Sequence, residues 1–245
     1  MDHQNRGICH IFSHSTFDAK LGLPERTCAR MERNTVSKTY RKLGFQTQNH
    51  MDYTRKKIMK TVRMMIRRNY TKDDCICICV MTHGGRNGKL YAKDGSYNID
   101  IFEKAFDAMK TLKNKPKLLF VQACRGGNGD REEDTPRFCY SSSSSDETDW
   151  VTNMKSAPTK ADILIAHSTC EGYVSFQQWF FPTLCKNLNK FREVCDLDEI
   201  LTKTIDIVST YVSHCTNIES KKFDKCKQVP VVVKTLRKKI YFRKK

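Results

Sequence analysis

A thiol and an imidazole stand in matching settings in this sequence. Leu118-Leu119-Phe120-Val121-Gln122-Ala123 is an apolar run of buried-strand character that ends in Cys124-Arg125-Gly126-Gly127. Upstream, Cys75-Ile76-Cys77-Ile78-Cys79-Val80-Met81-Thr82 ends in His83-Gly84-Gly85. The two functional groups lie 41 positions apart (124 − 83). Each is delivered where a strand runs out and glycine lets the backbone turn sharply. An imidazole near a thiol can draw off its proton and leave a thiolate, the nucleophilic form of cysteine. One cysteine among twelve and one histidine among seven are unremarkable taken singly. The shared strand-end setting is what singles them out.

For these groups to meet, the two runs must be parallel neighbours joined by a crossover helix. Ile99, Phe102, Phe106 and Met109 recur at helical spacing and predict that helix from Ile99 to Leu112. Ligands in open α/β sheets bind beyond the C-terminal ends of the strands, where Cys124 and His83 would both stand. The rest of the chain reads as supporting elements. Gly7 to Phe12 is a first strand, followed by a loop from Ser13 to Glu25 with Gly22 and Pro24. A helix is expected from Arg30 to Leu43, a short strand from Phe45 to Gln48, and a basic amphipathic helix from Thr54 to Asn69. Arg86 to Tyr91 with Asp94-Gly95 reads as a small hairpin. Later come a strand from Asp162 to Ala166, helices from Gln178 to Phe191 and Leu197 to Cys215, a last core strand Val229 to Val233, and a short apolar finish from Lys239 to Phe242. Five or six strands alternating with helices predict an α/β fold with a mostly parallel sheet covered on both faces.

Gln122-Ala123-Cys124-Arg125-Gly126 resembles the caspase signature Q-A-C-[RQG]-G, whose histidine lies about 50 residues upstream. Further matches are Arg6-Gly7, Thr82-His83-Gly84, Lys115-Pro116-Lys117, and Ser168-Thr169 followed by Gly172-Tyr173. The resemblance runs from Arg6 to Phe242. It implies a caspase-like sandwich with a six-stranded sheet and a cysteine endopeptidase of the cell-death machinery. Cys124 would attack the scissile carbonyl, His83 would give the leaving amine its proton, and the N–H groups of Gly84 and Cys124 would meet the oxyanion. It also implies an executioner-type layout: residues 1–5 a vestigial pro-region with no recruiting domain, 6–127 a large-subunit part, and 153–245 a small-subunit part. Residues 128–152 between them are acidic and rich in serine, including Ser141 to Ser145, and cannot bury an apolar face. Asp146-Glu147-Thr148-Asp149 there resembles a sequence that executioner caspases cut, so processing is expected at Asp149 or Asp146; the alternative is an acidic loop that only stays solvated. The family's last strand pairs subunits. A homodimer, or a heterodimer with a related caspase, is therefore expected through residues 229–233, where Pro230 suits an edge.

The resemblance also exposes a departure. Caspases hold the aspartate before the cut with two arginines and a glutamine, because a carboxylate taken from water needs charge-assisted bonds. Arg26 matches the first arginine, Gln122 the glutamine, and Ser175 falls in the matching Tyr173-Val174-Ser175-Phe176 segment. Gln177 stands where the second arginine is expected, and the following loop is clipped, with Gln178 leading straight to Trp179. Loss of one member of a buried charge pair costs about 2–5 kcal/mol. The expectation is an intact reaction centre behind a weakened pocket. Two functions follow. One is a working peptidase with weak or altered preference for aspartate. The other is a decoy that pairs with an active caspase or titrates caspase inhibitors.

Composition narrows the setting. At 245 residues and 39% hydrophobic content the chain can bury a full core. No stretch has the length of a membrane span, and the start does not read as a signal peptide, so the expected location is cytoplasmic, with the cysteines as thiols. Cys75, Cys77 and Cys79 alternate along one strand at about 6.5–7 Å per pair of residues, too far for all three to reach one zinc ion; no metal and no cofactor is expected. The net charge of +17 raises nucleic acid as a partner. No zinc finger, phosphate loop or aromatic platform accompanies it, so a solvated basic surface is the expectation.

Overall fold

The structure is a computed structural model that describes residues 3–126, 130–131, 160–214 and 223–244. β1 (Asn5–Ser13), β2 (Gln46–Met51) and β3 (Asp73–Met81) alternate with α1 (Ala29–Lys42) and α2 (Arg55–Arg67). A hairpin of β4 (Lys89–Ala92) and β5 (Gly95–Asn98) leads to α3 (Asp100–Ala108) and β6 (Lys117–Gln122). Beyond β7 (Asp130–Arg131) come β8 (Ile163–His167), α4 (Phe180–Phe191), α5 (Leu197–Ser209), β9 (Cys226–Lys227) and β10 (Val231–Lys234). The central sheet has six strands in the order β10-β8-β6-β3-β1-β2. All its pairs are parallel except β10 with β8. The mostly parallel α/β architecture expected from the sequence is the one observed.

The apolar runs are continuous because both faces of the sheet are covered. Side chains alternate along a strand, so Cys75, Cys77, Cys79 and Met81 face one layer while Ile76, Ile78 and Val80 face the other. The first layer is packed by Val36 and Tyr40 of α1, Phe181, Leu184 and Leu188 of α4, and Leu197, Ile200 and Leu201 of α5. The second is packed by Ile58, Val62 and Met65 of α2 and Phe102, Ala105 and Phe106 of α3.

Several boundaries differ from the sequence reading. The crossover helix stops at Ala108, Met109 leaves helical geometry (ψ 77°), and a separate 3₁₀ turn covers Lys110–Leu112. The strand expected at Phe45 to Gln48 begins at Gln46 and runs on to Met51, since Phe45 turns into the core. α4 starts two residues late, because Gln178 has φ 67°. α5 stops at Ser209, short of Cys215, which lies outside the described residues. The strand expected at Val229 to Val233 is β10, Val231–Lys234, and Pro230 precedes it rather than sitting inside it. Lys239 to Phe242 forms no strand, but Ile240 and Phe242 are buried in the first layer. Two residues of the expected linker, Asp130–Arg131, pair with β9. Asp146 and Asp149 lie outside the described residues.

The cysteine geometry also needs a correction. Cys9 of β1 pairs in register with Cys77. The Sγ atoms of Cys9, Cys77 and Cys79 come within 4.8 Å of one another, with 3.8 Å between Cys9 and Cys79 and 4.0 Å between Cys77 and Cys79. The strand-spacing argument against such an approach omitted the neighbouring strand and the freedom of the side chains. The three groups are fully buried among apolar residues. Burial pushes the Cys9 and Cys77 thiols well up, which holds them neutral, as small core hydrophobes are.

Candidate active site

β3 and β6 are hydrogen-bonded neighbours with Met81 opposite Gln122, and the Thr82 N–H donates to the Gln122 carbonyl at 3.1 Å. Both segments then leave the sheet at the same level, bringing His83 and Cys124 to one cleft. Their loops touch backbone to backbone. A Cβ placed on Gly84 would lie 2.2 Å from the Cys124 carbonyl oxygen and 2.9 Å from Ala123 Cβ, so only glycine permits the approach. Gly126 is pressed in the same way against the Gly172 backbone, at 2.1 Å from its carbonyl oxygen for an added Cβ.

One cleft of about 90 Å³ opens there, lined by Arg26, Thr82, His83, Gln122, Ala123, Cys124, Ser175 and Gln177. Every side chain that the sequence nominated for catalysis or substrate binding lines it. Gly84, nominated for its backbone, stands beside it. A larger cleft of about 190 Å³ opens at the other end of the strands, beside Lys117 and Asp162, and its lining has neither thiol nor histidine.

Burial disfavours the charged form of both the His83 imidazole and the Cys124 thiol. His83 Nε2 lies 2.8 Å from the Pro24 carbonyl oxygen, which only accepts, so Nε2 carries the proton and Nδ1 is left to take another. The Phe17 ring packs at 5.0 Å from the imidazole. Burial, with the charge of Arg26 adding to it, pushes His83 below its ordinary value against the pull of the Pro24 bond. The Ser175 N–H donates to Cys124 Sγ at 3.3 Å, and the sulfur sits 3.8 Å from the Ser175 carbonyl. Burial pushes the Cys124 thiol up, opposed by the Ser175 contact and by Arg26. Among the described residues, no other residue accepts the N–H of Gly84 or of Cys124.

The segment facing the thiol is held from β8 and β9. Ser175 and Ser168 hydroxyls are 2.7 Å apart, Phe176 N–H donates to Gln228 Oε1 at 2.6 Å, and Gln228 Nε2 donates to the Ser168 carbonyl at 2.7 Å. Arg125 N–H donates to the Tyr173 carbonyl at 2.9 Å.

Arg26 is held differently from what a lone substrate-gripping cation needs. Its Nη1 donates to the carbonyls of His14 and Met81 at 2.9 and 3.2 Å, and its Nη2 to Glu32 Oε2 at 2.8 Å. Glu32 Oε1 accepts from Gln122 Nε2 and from the Gln178 N–H, both at 2.6 Å. Gln122 Oε1 in turn accepts from Phe181 N–H at 3.2 Å. The Glu32 side chain is fully buried and Arg26 is nearly so. Gln177 presents a buried Oε1 with no hydrogen-bond partner. Sequence reasoning did not reach Pro24 as an acceptor, Gln228, or Glu32. The signal for Glu32 was readable: it shares the buried stripe of α1 with Val36 and Tyr40, at helical spacing.

Comparison with known proteins gives a concordant result. The family model of the caspase domain matches residues 6–241. Caspase-6 of Gallus gallus is 31% identical over 266 residues, covering all of this chain and 83% of the relative. Caspase-7 of Gallus gallus is 32% identical over 255 residues, covering 99% of this chain and 79% of the relative. The crystal structure of Caspase-1 from Spodoptera frugiperda superposes with a TM-score of 0.86 at 30% identity, covering all of this chain and 94% of that one. With a strand-end thiol and imidazole on one cleft, and a match over nearly its whole length, this chain belongs to the caspase family.

Proposed function

We propose that the chain is a caspase-type cysteine endopeptidase acting in cell death, with Cys124 as nucleophile, His83 as proton carrier and a weakened hold on aspartate. A substrate carbonyl over Cys124 prompts transfer of the thiol proton to His83 Nδ1, and the sulfur bonds to the carbonyl carbon. The N–H groups of Gly84 and Cys124 meet the oxyanion. The imidazolium returns its proton to the leaving amine as the C–N bond breaks, and water then hydrolyses the thioester. Because burial disfavours the charged form of both thiol and imidazole, the ion pair is expected to form as substrate arrives. What carries this reading is the single cleft shared by His83, Cys124, Arg26, Gln122, Ser175 and Gln177. Pairing of two chains through the open edge of β10, processing at Asp149 or Asp146 and a cytoplasmic location belong to the same proposal.

A second reading, a decoy that regulates an active relative by dimerisation or by titrating its inhibitors, is favoured by Gln177 in place of a cation. An assay on an Asp-Glu-Val-Asp peptide separates the two, using wild type, Gln177→Arg and Cys124→Ala. Cleavage by wild type that only Cys124→Ala abolishes eliminates the decoy. Cleavage that begins only with Gln177→Arg, together with no wild-type cleavage of the matching asparagine or glutamine peptide, supports it.

A further inference from the structure

The pocket beside Cys124 is lined by one cation, Arg26, and the fully buried Glu32 behind the lining already faces it. Arg26 lines the cleft, yet three of its guanidinium N–H groups are taken by the His14 and Met81 carbonyls and by Glu32. Glu32 is the buried hub: it binds Arg26, the Gln122 amide and the backbone of Gln178. Of the other polar side chains lining the pocket, Gln122 and Gln177 are neutral amides and Thr82 and Ser175 neutral hydroxyls. A carboxylate entering such a pocket would be desolvated against an arginine already paired with Glu32, with no uncompensated positive charge to receive it. A neutral amide would not. It can accept from the remaining guanidinium N–H groups and donate to the orphan oxygen of Gln177, which lies buried without a partner.

We propose that Glu32 sets the specificity of this site, and that the electroneutral pocket takes a neutral carboxamide side chain, asparagine or glutamine, before the scissile bond. This rests on the reading of the cleft as a peptidase site and names its substrate class. Glu32 acts as a positioning residue: it orients Arg26 and Gln122 and cancels the charge of the one cation. In a pocket with a second arginine the same buried acid would leave a net positive charge. Here, with Gln177, it leaves none.

The test measures binding rather than turnover, so it does not depend on catalysis. Protein carrying Cys124→Ala is titrated with acetylated tetrapeptide amides, Asp-Glu-Val-X, in which X is aspartate, asparagine or glutamine, and followed by nitrogen-15 NMR. The expected result is that the asparagine or glutamine peptide binds at least as tightly as the aspartate peptide. Glu32→Gln, which keeps the shape and removes the charge, should then shift the ratio toward aspartate by roughly 10- to 100-fold. Gln177→Arg should shift it in the same direction, and serves alone if Glu32→Gln does not fold. The proposal is overturned if aspartate binds tenfold tighter in the unaltered pocket, if no foldable substitution moves the ratio, or if no peptide perturbs the cleft. Cleavage assays with intact Cys124 read the other question. Aspartate preference with Cys124-dependent cleavage sinks the pocket inference and spares the peptidase; amide preference without cleavage of any peptide does the reverse.

Discussion

At the residue scale, the reaction centre depends on contacts that tolerate almost no added atoms. Gly84→Ala would drive a methyl group into the Cys124 carbonyl, which lies 2.2 Å from its position. Because backbone rather than a flexible side chain is in the way, the two loops must part. A 1 Å displacement at a reacting centre costs about 100-fold, so Gly84→Ala is expected to lower cleavage by at least that factor while the sheet still folds. Comparing kcat/KM with the circular dichroism of the variant checks this. The resting protonation state makes a second prediction. Since burial holds the Cys124 thiol above its ordinary value of 9.0, its alkylation by iodoacetamide should keep rising with pH through 9. Mass spectrometry of the peptide bearing Cys124 distinguishes it from the other thiols; a plateau near neutral pH would show a preformed thiolate. That Cys124, His83 and Gln122 would share one cleft was legible in the sequence because strand, turn and motif all lie in local order. Glu32 and Pro24 were not, because their roles exist only once α1 and the loop before it fold over the ends of β3 and β6.

At the element scale, strand types were legible where both faces are buried and less so at the rim. β3 and β6 announce themselves as unbroken apolar runs, whereas β2 (Gln46–Met51) is mostly exposed and its polar sequence hides how far it runs beyond Gln48. Its one buried side chain, His50, hydrogen-bonds His10 of β1 ring to ring at 3.1 Å, and the outer nitrogens of the pair have no partners. Burial lowers His10 to about 3, with the charges of His50 and Arg68 adding to it, and burial lowers His50 to about 4. The unfolded chain takes up these protons near pH 6.5 and the folded chain does not, so stability is full above that pH and falls as pH drops toward 4. Each histidine contributes about 1.4 kcal/mol per pH unit in that window. Urea denaturation at pH 7 and pH 5 should differ by at least about 2 kcal/mol. A smaller capping effect is expected at α5. Asp196 accepts the Glu199 N–H at 2.9 Å, and Glu199 accepts the Asp196 N–H at 3.0 Å. Asp196→Ala should cost about 1 kcal/mol, read as a fall of about 2–4 °C in Tm.

At the scale of the whole molecule, one face of the sheet carries α1, α4 and α5 and the other α2 and α3, so the strand ends are free to form a site. That division was legible as alternation of strands and helices. The order of strands was not, because β10 joins antiparallel to β8 from a segment that reads equally well as a parallel core strand. As the outermost strand, β10 leaves Val233 at 58% exposure on an edge that no other strand among the described residues pairs with. If two chains pair there, Val233→Lys should raise the dissociation constant of the dimer by about tenfold or more, measured by sedimentation. The same edge would serve either an active peptidase or a decoy, so pairing does not choose between them. Cleavage does. Wild type and Cys124→Ala are each incubated with a library of peptides from a digested proteome, and the new termini are identified by mass spectrometry. A set of cuts present with wild type, absent with Cys124→Ala, and enriched in a neutral amide before the bond is the expected result. Identical termini in the two samples would contradict the assignment of this cleft as a working peptidase.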